Sequence, residues 1–191
     1  MNVGLYFGSF NPIHHGHLII ASYMVQQPSL DQVWFVVSPQ NPLKPSGSLL
    51  NENQRLYLVQ AAVEGESKLK VSDIEFRLPK PSYTVNTLAY LQEKYPNHHF
   101  SVIIGSDSYQ NLPRWKNYSY ILQHHTLYVY QRPGHEVKEA FPGSTTHILP
   151  APMLEISSTY VRQLIREGKS IRYLVPEKVM EEIDRNGYYR N

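Results

Sequence analysis

The chain has 191 residues, 41% of them hydrophobic and 18% charged, with a net charge of +2 and no cysteine. This composition suits one folded domain across 1–191 with a substantial core, its C-terminal part (about 157–191) helical. The missing thiols exclude a disulfide framework and cysteine chemistry, and the small charge excludes a nucleic-acid footprint built on bulk charge. No apolar run approaches a membrane span or a signal peptide, so the expectation is a cytoplasmic protein with neither nucleic-acid nor membrane partners.

The first strand is expected over Val3–Phe7 and runs into Gly8-Ser9-Phe10-Asn11-Pro12-Ile13-His14-His15-Gly16-His17. The order is strand, tight glycine and proline turn, then a helix over His15–Gln26. A helix N-terminus has unpaired N–H groups and partial positive charge, which attract phosphate. His14 and His17, three apart, share one face of that first turn, and Gly16 lets backbone approach closely. Together they suggest two imidazole donors beside free amides. A metal site is not expected, because zinc needs three or four ligands and the chain has no cysteine and no H-E-x-x-H. His15 has no part in the pattern.

The next strand is expected over Val33–Val37, followed by a proline-rich loop from Ser38 to Gly47 that carries Lys44. A helix over Glu52–Gly65 and a strand over Leu69–Glu75 come next. Pro81-Ser82-Tyr83-Thr84 opens a helix over Thr84–Lys94. A strand over Phe100–Ile104 leads into Gly105-Ser106-Asp107-Ser108, and Leu112-Pro113-Arg114-Trp115 precedes a helix over Tyr118–Gln123. The strand over Thr126–Tyr130 ends in Gln131-Arg132-Pro133-Gly134, and a last strand covers Thr146–Leu149. Arg77, Lys80 and the pairs His98-His99 and His124-His125 read as surface or turn residues.

Ile156-Ser157-Ser158-Thr159-Tyr160-Val161-Arg162 begins a helix over Ser158–Glu167. Ser157 or Ser158 caps it, Val161, Leu164 and Ile165 face inward, and Arg162 can fork two donors onto phosphate oxygens. The final helix spans Glu177–Asn186, with Pro176 suited to its first position, Val179, Met180 and Ile183 as packing stripe, and Gly187 as stop. Gly168-Lys169-Ser170 is not a P-loop: Gln163 stands where the glycine is needed, and the string follows a helix. No G-x-G-x-x-G occurs, which argues against a hydride-transferring enzyme. Strand–helix alternation points to an α/β, Rossmann-like, doubly wound and mostly parallel sheet with helices on both faces. Such sheets bind ligands beyond their strands' C-terminal ends, near the switch point, where the 8–14 loop falls.

The strings G-x-F-x-P-x-H-x-G-H and I-S-S-T-x-x-R resemble the two phosphate motifs of the H-x-G-H nucleotidyltransferase superfamily. With Ser82-Tyr83-Thr84, Ile103-Ile104-Gly105-Ser106-Asp107-Ser108, the proline-flanked Trp115 and Arg132-Pro133-Gly134, nearly the whole chain resembles bacterial nicotinate mononucleotide adenylyltransferases. The resemblance implies transfer of the adenylyl group of ATP to nicotinate mononucleotide, giving deamido-NAD and pyrophosphate. It implies His14, His17, Lys44 and Arg162 as the catalytic set, and Gly8, Ser9, Phe10, Gly105, Asp107, Ile156, Ser157 and Ser158 as further ATP contacts. Lys44, Tyr83, Thr84, Trp115 and Arg132 would hold the mononucleotide, with Trp115 stacked on the pyridine and backbone N–H groups near Tyr83 and Thr84 meeting its carboxylate. Asp107 would hold a ribose hydroxyl or order the site. Mg²⁺ would be carried by substrate phosphates, with no protein ligands.

Two positions depart from the bacterial pattern. Ser9 and Asn11 replace the usual Gly-Thr-Phe-Asp spacing with the G-S-F-N-P of eukaryotic relatives, and Leu43 stands where a histidine is common before Lys44. The alternatives are a dual-specificity or nicotinamide-preferring adenylyltransferase, a phosphopantetheine adenylyltransferase, and a non-catalytic nucleotide sensor. Oligomeric state is left open, a homo-oligomer included.

Overall fold

A computed structural model describes residues 1–40, 49–152 and 154–190. Lys44 and Leu43 therefore lie outside the described residues. The apolar, β-branched runs form strands at Asn2–Gly8 (β1), Gln32–Val37 (β2), Leu69–Ser72 (β3), His99–Gly105 (β4), Leu127–Tyr130 (β5) and Thr146–Leu149 (β6). They pair in the order β3-β2-β1-β4-β5-β6. Every pairing is parallel.

Parallel neighbours need crossovers, and helices supply them. These are His15–Val25 (α1), Glu52–Ala62 (α2), Thr84–Lys94 (α3), Ser106–Gln110 (α4), Tyr118–His124 (α5), Ser158–Arg166 (α6) and Glu177–Asn186 (α7). Strand side chains alternate between the faces, so the sheet carries two cores. Tyr6, Val33, Phe35, Ile103 and Tyr130 pack with residues of α1, α2, α6 and α7. Leu5, Val36, Val102, Ile104 and Val129 pack with residues of α3, α4 and α5.

Most element ends fall within one or two residues of the expectation, and three departures have a clear local cause. The strand expected to reach Glu75 stops at Ser72, where the Ser72 Oγ accepts from the Ile74 N–H at 3.3 Å and Phe76 N–H bonds back to Asp73 O. This local bonding competes with the ladder and winds Ile74–Arg77 into a short 3-10 helix. The helix expected to run to Gly65 ends at Ala62, with Gly65 at φ +87. Pro176 is the N-cap of α7 rather than its first helical residue, while Gly187 ends that helix at φ 65 as expected. Sequence also passed over α4 and a 3-10 turn at Leu112–Arg114.

The chain leaves β1 toward β2 and β3, then crosses back to β4, β5 and β6. The switch point therefore lies between β1 and β4. The glycines that end those two strands, Gly8 and Gly105, open side by side onto one cleft.

Candidate active site

The loop after β1 is shaped by side chains that leave no room for alternatives. A Cβ at Gly8 would lie 2.7 Å from the Phe10 ring. Phe10 itself has φ 44, an unusual value for a bulky residue, and its buried ring packs edge-on against His17, Tyr6 and Phe35. That packing offsets the strained backbone and presents His14 and His17 from the start of α1. The two imidazoles stack, centroids 3.7 Å apart, and the His14 backbone N–H donates to His17 Nδ1 at 3.3 Å. His14 is only 5% exposed. Burial, helped by the Arg132 guanidinium and by His15, pushes its pKa down to about 4. It is a neutral imidazole with a single N–H to give, and its buried Nδ1 has no hydrogen-bond partner.

The free amides expected at the start of α1 are partly spent. His15 N–H donates to Leu174 O and His17 N–H to His14 O. Leu174 is remote in sequence, which is why the N-terminus of α1 read as open. Charge at this end of the cleft comes instead from α6. Ser157 is its N-cap, accepting from the Tyr160 N–H at 3.1 Å. Ser158 Oγ donates to Pro12 O, and Arg162 donates to Asn11 O at 2.7 Å, so α6 is bolted to the loop after β1. Arg162 keeps a buried Nε without a partner.

At the other end, the 11-residue helix α3 begins at Tyr83, which offers no side-chain cap to the first-turn amides. Trp115 is half-buried at the end of the Leu112–Arg114 turn, and the Lys116 ammonium lies 4.7 Å from the Tyr83 ring centroid. Between the two ends, Asp107 and Arg132 pair at 2.9 Å. Ser106 Oγ accepts from the Arg132 N–H at 2.7 Å, and a Cβ at Gly105 would lie 2.6 Å from Asp107 Oδ1. Asp107, expected on a ribose or as an organiser, is in this structure bonded to Arg132. Beneath them the Tyr6 and Tyr130 hydroxyls meet at 3.4 Å, their pKa values raised by burial, so the floor is uncharged.

These groups line one continuous cavity of about 1290 Å³, ample for two nucleotides. Of the residues singled out in the sequence, Gly8, Ser9, Phe10, His14, His17, Gly105, Asp107, Ile156, Ser157, Ser158 and Arg162 border it, as do Tyr83, Thr84, Trp115 and Arg132. Among the described residues no cluster of three or more His, Asp or Glu is placed to hold a metal ion.

The cytidylyltransferase-like family model matches residues 5–164. A Flavobacterium johnsoniae protein named "Probable nicotinate-nucleotide adenylyltransferase" is 52% identical, covering all of both chains. A Cytophaga hutchinsonii protein of the same name is 51% identical, again over all of both. The chain belongs to the nicotinate-nucleotide adenylyltransferase family. Its fold is also that of the Plasmodium falciparum nicotinic acid mononucleotide adenylyltransferase solved with NaAD, at TM-score 0.84 and 20% identity over 98% of this chain and 97% of that one.

Two residues that build the cleft, one behind its wall and one in it, were not found by reading the sequence. Arg55 of α2 is fully buried and donates to four backbone carbonyls: Leu50, Ser9, Ser38 and Pro39, at 2.6–3.1 Å. It ties the loops after β1 and β2 together, as Asn11 Oδ1 does by accepting the Leu50 N–H. Glu75 is 1% exposed, borders the cavity, and accepts from Thr87 Oγ1 at 2.9 Å. Neither carried a signal in the sequence, since a lone arginine on a helix reads as solvated and Glu75 read as a strand end. Arg77 and Lys80 are surface charges as expected, paired with Asp73 and Glu52. His125 is partly buried against Phe100 O rather than wholly at the surface, and His98 packs beside Trp34 and Tyr95.

Proposed function

We propose that the cleft joins ATP and nicotinate mononucleotide head to head and transfers the adenylyl group between them. The observation that carries this is one cavity at the switch point with two chemically distinct ends: His14, His17, Ser158 and Arg162 at one, and the N-terminus of α3 with Trp115 at the other. The relatives' names support the same substrate pair.

A 5′-phosphate oxygen of the mononucleotide attacks the α-phosphorus of ATP. The new O–P bond forms as the bond to the β-phosphate bridging oxygen breaks, and pyrophosphate leaves with that electron pair. The nucleophile is already an anion, so no protein base is required. The protein's work is to align the reactants and to neutralise charge that builds on the phosphates. Neutral His14 supplies one N–H, and His17 beside it supplies a second donor to the α-phosphate. Arg162 and the hydroxyl of Ser157 hold the leaving β- and γ-phosphates, and Ser158, whose single O–H goes to Pro12 O, offers its first-turn backbone N–H. Lys44 neutralises phosphate from the loop after β2. Gly8, Ser9, Phe10 and Ile156 shape the wall against the nucleotide, and Gly105 leaves space for its sugar beside the Asp107–Arg132 pair.

The donor set at the phosphate end is neutral or cationic, which fits an Mg²⁺ held by phosphate oxygens and water rather than by protein. Such an ion would screen the triphosphate charge. For the pyridine, Trp115 offers a stacking face, and the first-turn amides of α3 at Tyr83 and Thr84 offer donors for an anionic substituent.

Pyrophosphate release with Mg-ATP tests the reading when nicotinate mononucleotide, nicotinamide mononucleotide and phosphopantetheine are offered in parallel. Preferred turnover of the nicotinate substrate is expected. Equal use of both pyridine nucleotides would mean dual specificity, phosphopantetheine turnover would mean the other adenylyltransferase, and no release would mean a nucleotide sensor.

A further inference from the structure

The pyridine end of the cleft contains a carboxyl group that the proposed reaction does not use. Glu75 is held on the Ile74–Arg77 turn, with Thr87 of α3 bonded to it and the hydroxyls of Ser38 and Ser82 close by. Its Oε1 accepts from Thr87, while its Oε2 is buried with no hydrogen-bond partner. The neighbouring Ser82 Oγ, also buried, has none either. Both residues border the cavity next to Tyr83 and Thr84, the start of α3. The hydroxyls of Ser38 and Ser82 lie near enough to act on the carboxyl, but neither makes an aligned bond to Oε2, which is left to complete its bonding with a ligand.

We propose that Glu75 selects the substituent on the pyridine ring: as a neutral acid it donates to a ring carboxylate, and as an anion it turns that ligand away in favour of a ring carboxamide. This rests on the adenylyl-transfer reading above. A carboxylate meeting a carboxylic acid forms a strong charge-assisted hydrogen bond, whereas two carboxylates repel. A carboxamide reverses the preference, because its NH₂ donates to ionised Glu75.

The surroundings favour the neutral form. Burial raises the Glu75 pKa, opposed only in part by the hydroxyls of Ser38, Thr87 and Ser82. The charged groups on the elements packed around it are occupied near the surface: Asp73 pairs with Arg77, Lys80 with Glu52, and Lys116 lies over the Tyr83 ring. None of them is a counter-charge that would hold Glu75 ionised.

The test is the ratio of kcat/KM for nicotinate over nicotinamide mononucleotide from about pH 5 to about pH 9, in the wild type and in Glu75→Gln. Phosphate ionisation is common to both substrates and cancels. The wild-type ratio is expected to fall about tenfold or more as pH rises, while Glu75→Gln, which keeps a donor and an acceptor at any pH, gives a flat ratio. A flat wild-type ratio, or an equal slope in both proteins, overturns the role of Glu75. The wild-type slope decides the matter even if Glu75→Gln melts early. Nicotinate turnover with a flat ratio would leave the adenylyl-transfer reading standing, whereas no turnover of either pyridine nucleotide would remove that reading and the role of Glu75 with it.

Discussion

The two ends of the cleft are built in different ways. The phosphate end is assembled from segments far apart in sequence, the loop after β1, Arg55 on α2 and the start of α6, joined by side chains that donate to backbone carbonyls. The pyridine end comes largely from one stretch, from the Ile74–Arg77 turn to the first turn of α3, with Trp115 laid alongside. An end held by long-range ties is rigid, and damage to a tie should reach both stability and catalysis. An end of local construction can change ligand preference at little cost to the fold.

Four substitutions sharpen that contrast. The largest effect belongs to His17→Ala, which removes the donor proposed to meet the transferring phosphate. Its kcat should fall roughly 10²–10³-fold, read by steady-state pyrophosphate release at saturating substrates. Arg55→Met comes next, because it leaves four carbonyls of two loops without a donor. It should lower stability by roughly 3 kcal/mol in urea melts and raise KM for ATP as the two loops separate.

His14 gives a pH-dependent effect of similar or smaller size. Its pKa in the fold lies at about 4, below the usual histidine value, so between the two the unfolded chain binds a proton that the folded chain refuses. Stability should therefore be unaffected above about pH 6.5 and decline as pH falls toward about 4, by up to roughly 3 kcal/mol. His14→Gln should lack that share of the acid slope, and melting curves of the two proteins at stepped pH measure the difference. The smallest effect is expected at the pyridine end. Trp115→Ala should raise KM for the mononucleotide about tenfold, the scale of a lost stacking contact, with KM for ATP unchanged and a smaller loss of stability than Arg55→Met, since Trp115 packs only in part against the core. A drop in stability as large as that of Arg55→Met would break the contrast between the ends.

Much of this was legible beforehand because it is written in local patterns. Short apolar runs such as Val33–Val37, and the Gly-x-Phe-x-Pro turn before His14, report sheet and loop directly. So does the serine cap of α6. What escaped notice depends on contacts between distant residues. Arg55 has an ordinary place on α2, and only the fold brings Ser9 and Ser38 to it. The amide of His15 looked free until Leu174 arrived from the far end of the chain. Glu75 looked like the end of a strand, and it took the turn at Ser72 to bury it. Asp107 read as a ribose contact or a group that orders the site, while its bond to Arg132 depends on β4 and β5 lying side by side.

The central claim is that one cleft holds a dinucleotide with its phosphates at His14 and His17 and its pyridine at Trp115. A crystal structure of the chain with deamido-NAD tests it most directly. The account predicts the pyrophosphate bridge within hydrogen-bond reach of both imidazoles, the ring stacked on Trp115, and its carboxylate at the Thr84 amide beside Glu75. A dinucleotide bound in the opposite sense, or one lying outside the space between β1 and β4, would contradict it.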